Sequence, residues 1–153
     1  MKESRDRGLR WGAAALGWMV ASAAGVILSP AIRFLYGLAA RPPAERGEFT
    51  ATVVAISVLS GFIAYLLGGY VAGRIAGASG GLNGAMTAVI GLAVGLVLTA
   101  VLATFGVLFS EGVAVPPAGF GFARAALLAG LLLFVANILG GYVGGKLGEP
   151  PGA

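Results

Sequence analysis

Four long apolar runs constrain the fold of this chain more than any other feature of its sequence. They cover approximately residues 11–36, 49–72, 82–109 and 120–144. Each is long enough for a transmembrane helix, which needs about 20 mostly apolar residues. Because lipid cannot satisfy unpaired backbone groups, helices are the expected form of such runs. The sequence therefore predicts an all-α polytopic membrane protein with four transmembrane helices.

The composition favours a lipid bilayer as the partner of these helices. Apolar residues make up 58% of the 153 residues, and charged residues only 10%. A soluble domain carries about 25% charged residues, so too few charges are present here to cover a water-exposed surface. The net charge of +4 comes from cations near the ends of apolar runs, not from a basic patch interleaved with aromatic residues. Nucleic-acid binding is therefore not expected.

A repeated segment predicts that the four helices form two hairpins. Residues 67–75 read LGGYVAGRI, and residues 139–147, 72 positions later, read LGGYVGGKL. A Pro-Pro pair also recurs between the helices of each hairpin, as Pro42-Pro43 and Pro116-Pro117. Two spans per copy give both copies the same orientation, as parallel repeats about an axis along the membrane normal. We expect one membrane domain, 1–153, with hairpin repeats at 1–75 and 82–147, a basic tail at 1–10 and a short C-terminal tail at 148–153.

The distribution of cations predicts the orientation in the membrane. With four spans both termini share one side, which carries six cations: Lys2, Arg5, Arg7, Arg10, Arg74 and Lys146. The other side carries four, Arg33, Arg41, Arg46 and Arg124. The positive-inside rule therefore puts both termini in the cytoplasm. The Arg-, Ala- and Gly-rich composition suits a GC-rich bacterial genome, so a multi-pass protein of the bacterial plasma membrane is expected. The first run continues past a signal-peptide-like Ala-Ser-Ala, so we expect it to be retained.

Small residues recur at intervals of three or four along the predicted helices. This spacing lines one helix face and lets two backbones approach closely. The predicted helix-packing residues are Gly17, Gly25, Gly68, Gly69, Gly73, Gly91, Gly95, Gly140, Gly141, Gly144 and Gly145. Close packing of the four helices is the first interpretation. A glycine-lined pore, or a face for a homo-oligomer or a membrane-protein partner, is the alternative.

Two cations follow the repeated glycines. Arg74 and Lys146 come at predicted helix C-termini, where a cation interacts favourably with the helix dipole and can reach anionic headgroups. Tyr70 and Tyr142 would lie beside them in the interfacial aromatic belt. These four residues are predicted to be topological anchors, or alternatively a paired site for an anionic lipid or substrate headgroup.

Asn137 is the most polar side chain within a predicted span, and Tyr65 occupies the equivalent position of the first copy. An Asn in a membrane helix can join neighbouring helices by hydrogen bonds. Asn137 and Tyr65 could instead line a solute path, and the sequence leaves both interpretations open.

The residues that are missing argue against catalysis. The chain has no Cys and no His, so no metal site of the usual kind and no cofactor is expected. No ionisable side chain other than Tyr is predicted at mid-bilayer depth, where proton-coupled carriers usually have one. Residues 140–146 spell G-x-x-x-x-G-K, but Leu147 stands where a phosphate loop needs Ser or Thr. We expect a protein that is not an enzyme.

Residues 68–74, GGYVAGR, carry a family resemblance. Together with 82–86, LNGAM, and 10–13, RWGA, they resemble uncharacterised small bacterial four-helix integral membrane proteins with a Gly-Gly-x-x-Ala-Gly-Arg motif closing the second span. The resemblance implies the four-helix fold and carries no activity or catalytic residue. The expected function is that of a non-enzymatic small integral membrane protein, packing through glycine-rich faces with itself or a partner. The alternative is a small oligomeric channel or permease for an ion or small solute.

Overall fold

The computed structural model describes residues 8–40, 51–109 and 120–151, which form four helices. They are α1 (Trp11–Ala40), α2 (Ala51–Ala76), α3 (Gly80–Phe109) and α4 (Phe120–Gly148). All four are long and apolar enough to cross a membrane, as predicted. Three of them, α1, α2 and α4, end four residues later than the apolar runs predicted. Backbone hydrogen bonding continues beyond the lipid-immersed part of a helix, whereas hydropathy marks only that part.

Each pair of consecutive helices within a predicted hairpin is antiparallel. Near the N-terminal end of α1, Gly17 lies against Gly68, close to the C-terminal end of α2. Near the N-terminal end of α3, Gly84 likewise lies against Gly141 of α4. The N-termini of α1 and α3 and the C-termini of α2 and α4 therefore lie at the same end of the bundle.

Helices α2 and α4 run parallel and form the most extensive helix contact in the described chain. Gly69 lies against Gly141, and Gly73 lies against Gly145. Both pairs are separated by the same 72 positions as the matching segments. The matching segments thus lie at the same depth of the bundle and touch each other.

The arrangement of the helices lacks an exact two-fold axis. Helix α2 contacts α3, whereas the described residues of α1 and α4 make no such contact. A two-fold axis that exchanged the two hairpins would exchange α2 with α4 and α3 with α1. A contact between α2 and α3 would then require an equal contact between α4 and α1. Helices α2 and α3 each touch all three other helices among the described residues, whereas α1 and α4 each touch two.

Burial divides the bundle into two halves. The closed half comprises residues 11–21, 60–88 and 140–148, and all the buried apolar side chains lie there: Ala13, Ala14, Ala21, Ala64, Ala72, Ala76, Ala78 and Ala88. The open half comprises residues 22–39, 51–59, 89–101 and 127–139. None of the residues whose burial is described in the open half is buried. Helix packing is therefore tight at the end that contains the N-terminus of α1 and loose at the other end.

A three-residue turn, Gly77 to Ser79, joins α2 to α3. Gly77 has a φ of 74° and donates a backbone hydrogen bond to the carbonyl oxygen of Gly73 at 3.1 Å. Left-handed glycine directly after a helix is a common C-terminal cap. Ser79 also has a positive φ, 55°, and α3 begins at the next residue.

Candidate functional site

The glycines of α4 let its backbone approach the backbone of α2. Three of them, spaced by four, each point at a carbonyl oxygen of α2: Gly140 at Phe62, Gly144 at Leu66 and Gly148 at Tyr70. A methyl group added at Gly144 would lie 2.8 Å from the carbonyl carbon of Leu66. This is too close for a real side chain, so only glycine fits. Such Cα–H···O contacts recur where helices pack closely.

The predicted packing glycines of α2 and α4 are used inside the chain. A methyl group at Gly69 would lie 2.8 Å from the Cα atom of Gly141, and one at Gly73 equally close to the Cα atom of Gly145. A methyl group at Gly145 would in turn lie 3.0 Å from the Cα atom of Gly84 in α3. These glycines face other helices of the same chain and are not available to a second copy.

Helix α1 packs through Gly17. A methyl group there would lie 2.6 Å from both the Gly68 carbonyl oxygen and the Thr87 Cγ2 atom. A methyl group at Gly68 would lie 2.7 Å from the Cβ atom of Ala21. Three helices therefore meet at this level, with α1 seated against both α2 and α3.

The remaining predicted packing glycines differ in their surroundings. A methyl group at Gly25 would make an ordinary contact of 3.8 Å with Ala64. Gly91 lies against the hydroxyl group of Tyr65, and a methyl group there would also lie 3.1 Å from Trp18. A methyl group at Gly95 would meet no atom within 4 Å. Gly95 therefore belongs to the open half and does not mediate a close helix contact among the described residues.

Asn83 is a buried polar residue to which sequence reasoning gave no structural role. It is fully buried, and its Oδ1 atom accepts a hydrogen bond from the Arg10 backbone nitrogen at 2.7 Å. Its Nδ2 atom donates to the carbonyl oxygens of Ser79 at 3.1 Å and Gly8 at 3.4 Å. Asn83 thus fastens the segment before α1 to the first turn of α3. An Asn at the start of an apolar run looks like a boundary residue, so no sequence signal distinguished this role.

The two buried hydroxyl groups bond to their own helices. Thr87 is fully buried and donates to the carbonyl oxygen of Gly84 at 2.6 Å. Ser60 donates to the carbonyl oxygen of Ile56 at 2.7 Å. Such bonds satisfy a hydroxyl group in an apolar interior without linking helices. Neither hydroxyl faces a base that could activate it as a nucleophile within the described chain.

The predicted interfacial residues lie together at the closed end. Arg74 and Lys146 are exposed in the last turns of α2 and α4, and the neighbouring Tyr70 and Tyr142 are 42% and 47% exposed. Lys146 forms an ion pair with Glu149 at 3.7 Å. An exposed pair of this kind contributes little to stability. The four residues form a polar and aromatic rim around the closed end.

Asn137 and Tyr65 have different described neighbours. The Asn137 Oδ1 atom is buried against Gly61 of α2 and accepts no hydrogen bond from the described residues. The Tyr65 hydroxyl group lies against Gly91 of α3. The described contacts of the two side chains are therefore with different helices.

The open half contains a cleft between α1, α2 and α4. Its volume is about 250 Å³, and its lining includes Arg33 of α1, Ser57 of α2 and Gly130 of α4. Leu133, which lies next to Gly61, closes it on the side of the closed half. Sequence reasoning counted Arg33 among the cations and assigned it no site, because only the fold brings it close to Ser57.

A larger apolar groove of about 790 Å³ adjoins this cleft between α2 and α4. Val54, Val58 and Ala129 line both cavities, so the two lie side by side. The rest of the groove wall includes Leu59 and Leu132 and carries no charge. A charged cleft beside an uncharged groove is suited to an amphiphilic molecule.

The helices and cavities define the class of this protein as a multi-pass helical membrane protein with one closed half and one open half. The described residues contain no group of three or more acidic, Cys or His side chains that could hold a metal ion. In comparisons with protein families, curated proteins and solved structures, nothing matches the chain.

Proposed function

We propose that this protein is a non-enzymatic membrane protein that binds a membrane-resident molecule in its open half. The observation that carries the proposal is the change in burial along all four helices, from the closed half to a cleft lined by Arg33 and Ser57. The glycine faces serve to build the closed half, which then holds the cleft helices in place. A binding site of this kind needs no nucleophile and no metal.

A channel or permease is less well supported. A solute path needs polar groups through the whole membrane depth, and backbone contacts such as that between Gly69 and Gly141 fill the centre of the closed half. Tyr65 and Asn137, which would line such a path, contact different helices. Self-association through the glycine stripes is less well supported for a related reason, because those stripes are occupied within the chain.

We further propose that the two hairpins arose by duplication and insert with both termini in the cytoplasm of a bacterial cell. The offset between neighbouring parallel helices supports the duplication. Gly69 and Gly141 lie 72 positions apart, and Trp18 of α1 lies near Gly91 of α3 at a similar offset of 73. The cations at the closed end support the orientation, since the positive-inside rule assigns that end to the cytoplasm.

A pair of matched serine variants tests the division into two halves. Ser57→Cys puts a thiol in the cleft, and Ser60→Cys puts one at a position that is 3% exposed. We expect N-ethylmaleimide to modify the first variant in detergent much faster than the second. Equal rates would contradict the open and closed halves.

Two measurements then test the function itself. Native mass spectrometry of protein extracted in mild detergent should detect bound phospholipid, and proteoliposomes should leak ions and small solutes no faster than protein-free liposomes. Protein that retains no lipid of any kind would contradict the binding function. Flux above the protein-free control would instead favour the channel.

A further inference from the structure

We infer that the ligand of the open half is an anionic phospholipid, with its headgroup phosphate on Arg33 and an acyl chain in the groove between α2 and α4. This inference rests on the proposed function, because it names the molecule that the cleft binds. The cation, the depth of the cleft and the adjoining apolar groove each support it separately.

The depth of Arg33 suits a headgroup. Trp11 and Arg33 are separated by 22 residues of α1, or about 33 Å of helix. The apolar core of a bilayer is about 30 Å thick. If Trp11 lies with Tyr70 and Tyr142 at one interface, Arg33 reaches the headgroup level of the opposite leaflet. The cleft then opens towards lipid at the depth where phosphate groups lie.

The charge of Arg33 calls for an anion. A charged side chain within a membrane span is costly unless it is paired or reaches water, and a guanidinium group binds phosphate through two parallel hydrogen bonds. The described parts of all four helices contain no Asp or Glu, and Glu149 lies beyond α4 at the opposite end. These helices therefore offer Arg33 no carboxylate, whereas a lipid phosphate offers it an anion. Ser57 in the same cleft offers a hydroxyl group as a further donor.

The groove suits an acyl chain. It adjoins the cleft at Val54, Val58 and Ala129, and its remaining wall is aliphatic and aromatic. An acyl chain that enters this groove exchanges contacts with other lipid chains for contacts with the protein, so its binding depends on how closely it packs there. A free inorganic anion would use only Arg33 and leave this surface uncovered, so a lipid makes fuller use of the observed shape.

The test is a competition between two lipids on the full-length protein. The protein in detergent is mixed with equal amounts of phosphatidylglycerol and phosphatidylcholine of identical acyl chains, and native mass spectrometry counts the bound molecules. We expect about a tenfold preference for phosphatidylglycerol, because the choline cation of phosphatidylcholine opposes the attraction of its phosphate to Arg33. Arg33→Gln should abolish the preference and Arg33→Lys should keep part of it. If Arg74→Gln abolishes the preference and Arg33→Gln does not, the anionic site lies at the predicted anchors of the closed end and the inference is wrong.

Two further experiments test whether the ligand is a lipid or a free phosphate ester, and whether it occupies the cleft. Glycerol 3-phosphate, which lacks acyl chains, should not displace phosphatidylglycerol. Gly130→Leu should fill the cleft and lower the binding of both lipids, because a side chain at Gly130 meets no other atom and projects into open space.

The other possible results would each contradict a specific part of the inference. Equal retention of the two lipids, or a preference that persists in Arg33→Gln, would overturn the anionic ligand and leave the lipid-binding function standing. Displacement by glycerol 3-phosphate would identify a free anion as the ligand. Retention of neither lipid would overturn both the ligand and the proposed function.

Discussion

Gly69 and Gly141 hold the same place in the matching segments and touch each other, but they face different helices. Gly69 points at the backbone of Gly141 in α4, whereas Gly141 points away from α2 and at the backbone of Gly84 in α3. The contact between the two equivalent glycines is therefore one-directional. It has the character of a head-to-tail interface and not of a self-complementary one.

The preceding pair of equivalent glycines, Gly68 and Gly140, also faces two different helices. Gly68 of α2 packs on α1, whereas Gly140 of α4 packs on α2. Each second helix thus has two glycine faces about 100° apart, the angle between successive residues of a helix of 3.6 residues per turn. The two helices use these faces for different partners. Equal sequence at 67–75 and 139–147 has not produced equal surroundings.

A matched pair of Gly→Ala variants tests the close contacts. Gly73→Ala should lower stability by about 1–3 kcal/mol, because its methyl group meets the backbone of Gly145, which cannot move aside without shifting α4. Gly95→Ala makes the same chemical change where the added methyl group meets no atom within 4 Å, and should leave stability unchanged or raise it by up to about 1 kcal/mol, because alanine favours a helix over glycine. Thermal unfolding in detergent measures both. Identical midpoints for the two variants would show that the backbones are not in close contact.

Gly61 and Asn137 should behave as a coupled pair. Gly61→Ala puts a methyl group against the Asn137 Oδ1 atom and 3.0 Å from Leu133, so it should destabilise the protein. Asn137→Ala removes a buried acceptor that has no described hydrogen-bond partner, so it should cost little or stabilise.

The double variant Gly61→Ala/Asn137→Ala should then be more stable than the sum of the single effects predicts, by about 0.5–3 kcal/mol in a double-mutant cycle. Strong destabilisation by Asn137→Ala alone would instead support a hydrogen-bonded role for Asn137 between helices. Strict additivity would show that the two residues are not in contact.

Asn83 should control the order of the chain before α1. Asn83→Ala removes the acceptor of the Arg10 backbone nitrogen and the donor to Gly8, and should cost about 1–3 kcal/mol. Hydrogen exchange of the Arg10 amide should accelerate. Ser60→Ala is the control, since that hydroxyl bonds only within its own helix and its loss should leave the Arg10 amide unchanged. Unchanged exchange in Asn83→Ala would contradict the fastening role.

Single cysteines can test the orientation because the chain has no native Cys. A Cys at Ser4 should be protected from an impermeant maleimide in intact cells, and a Cys at Ala44 should react. Both positions lie outside the described residues, so the expectation comes from the distribution of cations. The reverse labelling pattern would invert the membrane orientation and would put Arg33 in the inner leaflet.

The sequence predicted the helices well because length and apolarity alone decide what crosses a bilayer. Arg74 and Lys146 were predicted on one side, and the parallel α2 and α4 bring them to one end. The faces of the helices could not be predicted. Lipid-facing and buried positions are both apolar here, so hydropathy has no clear period from which to identify the buried side.

The site depended on contacts that spacing does not encode. Gly95 has the same spacing to Gly91 as packing glycines have elsewhere, but only Gly91 lies where another helix is close. Asn83 and Arg33 gained their roles from chain segments far away in sequence, at Arg10 and Ser57. A single sequence indicates which side chains are polar, and the fold alone shows what each one meets.

The most extensive contact of the bundle, between α2 and α4, also sets an order for its biosynthesis. Residues that touch across this contact lie 72 positions apart in the chain. At a synthesis rate of about 5–20 residues per second, the later residue is made roughly 4–14 s after the earlier one. During that interval the face of α2 that packs on α4 has no α4 to cover it. The main helix contact of the bundle can therefore close only after the last helix has been made.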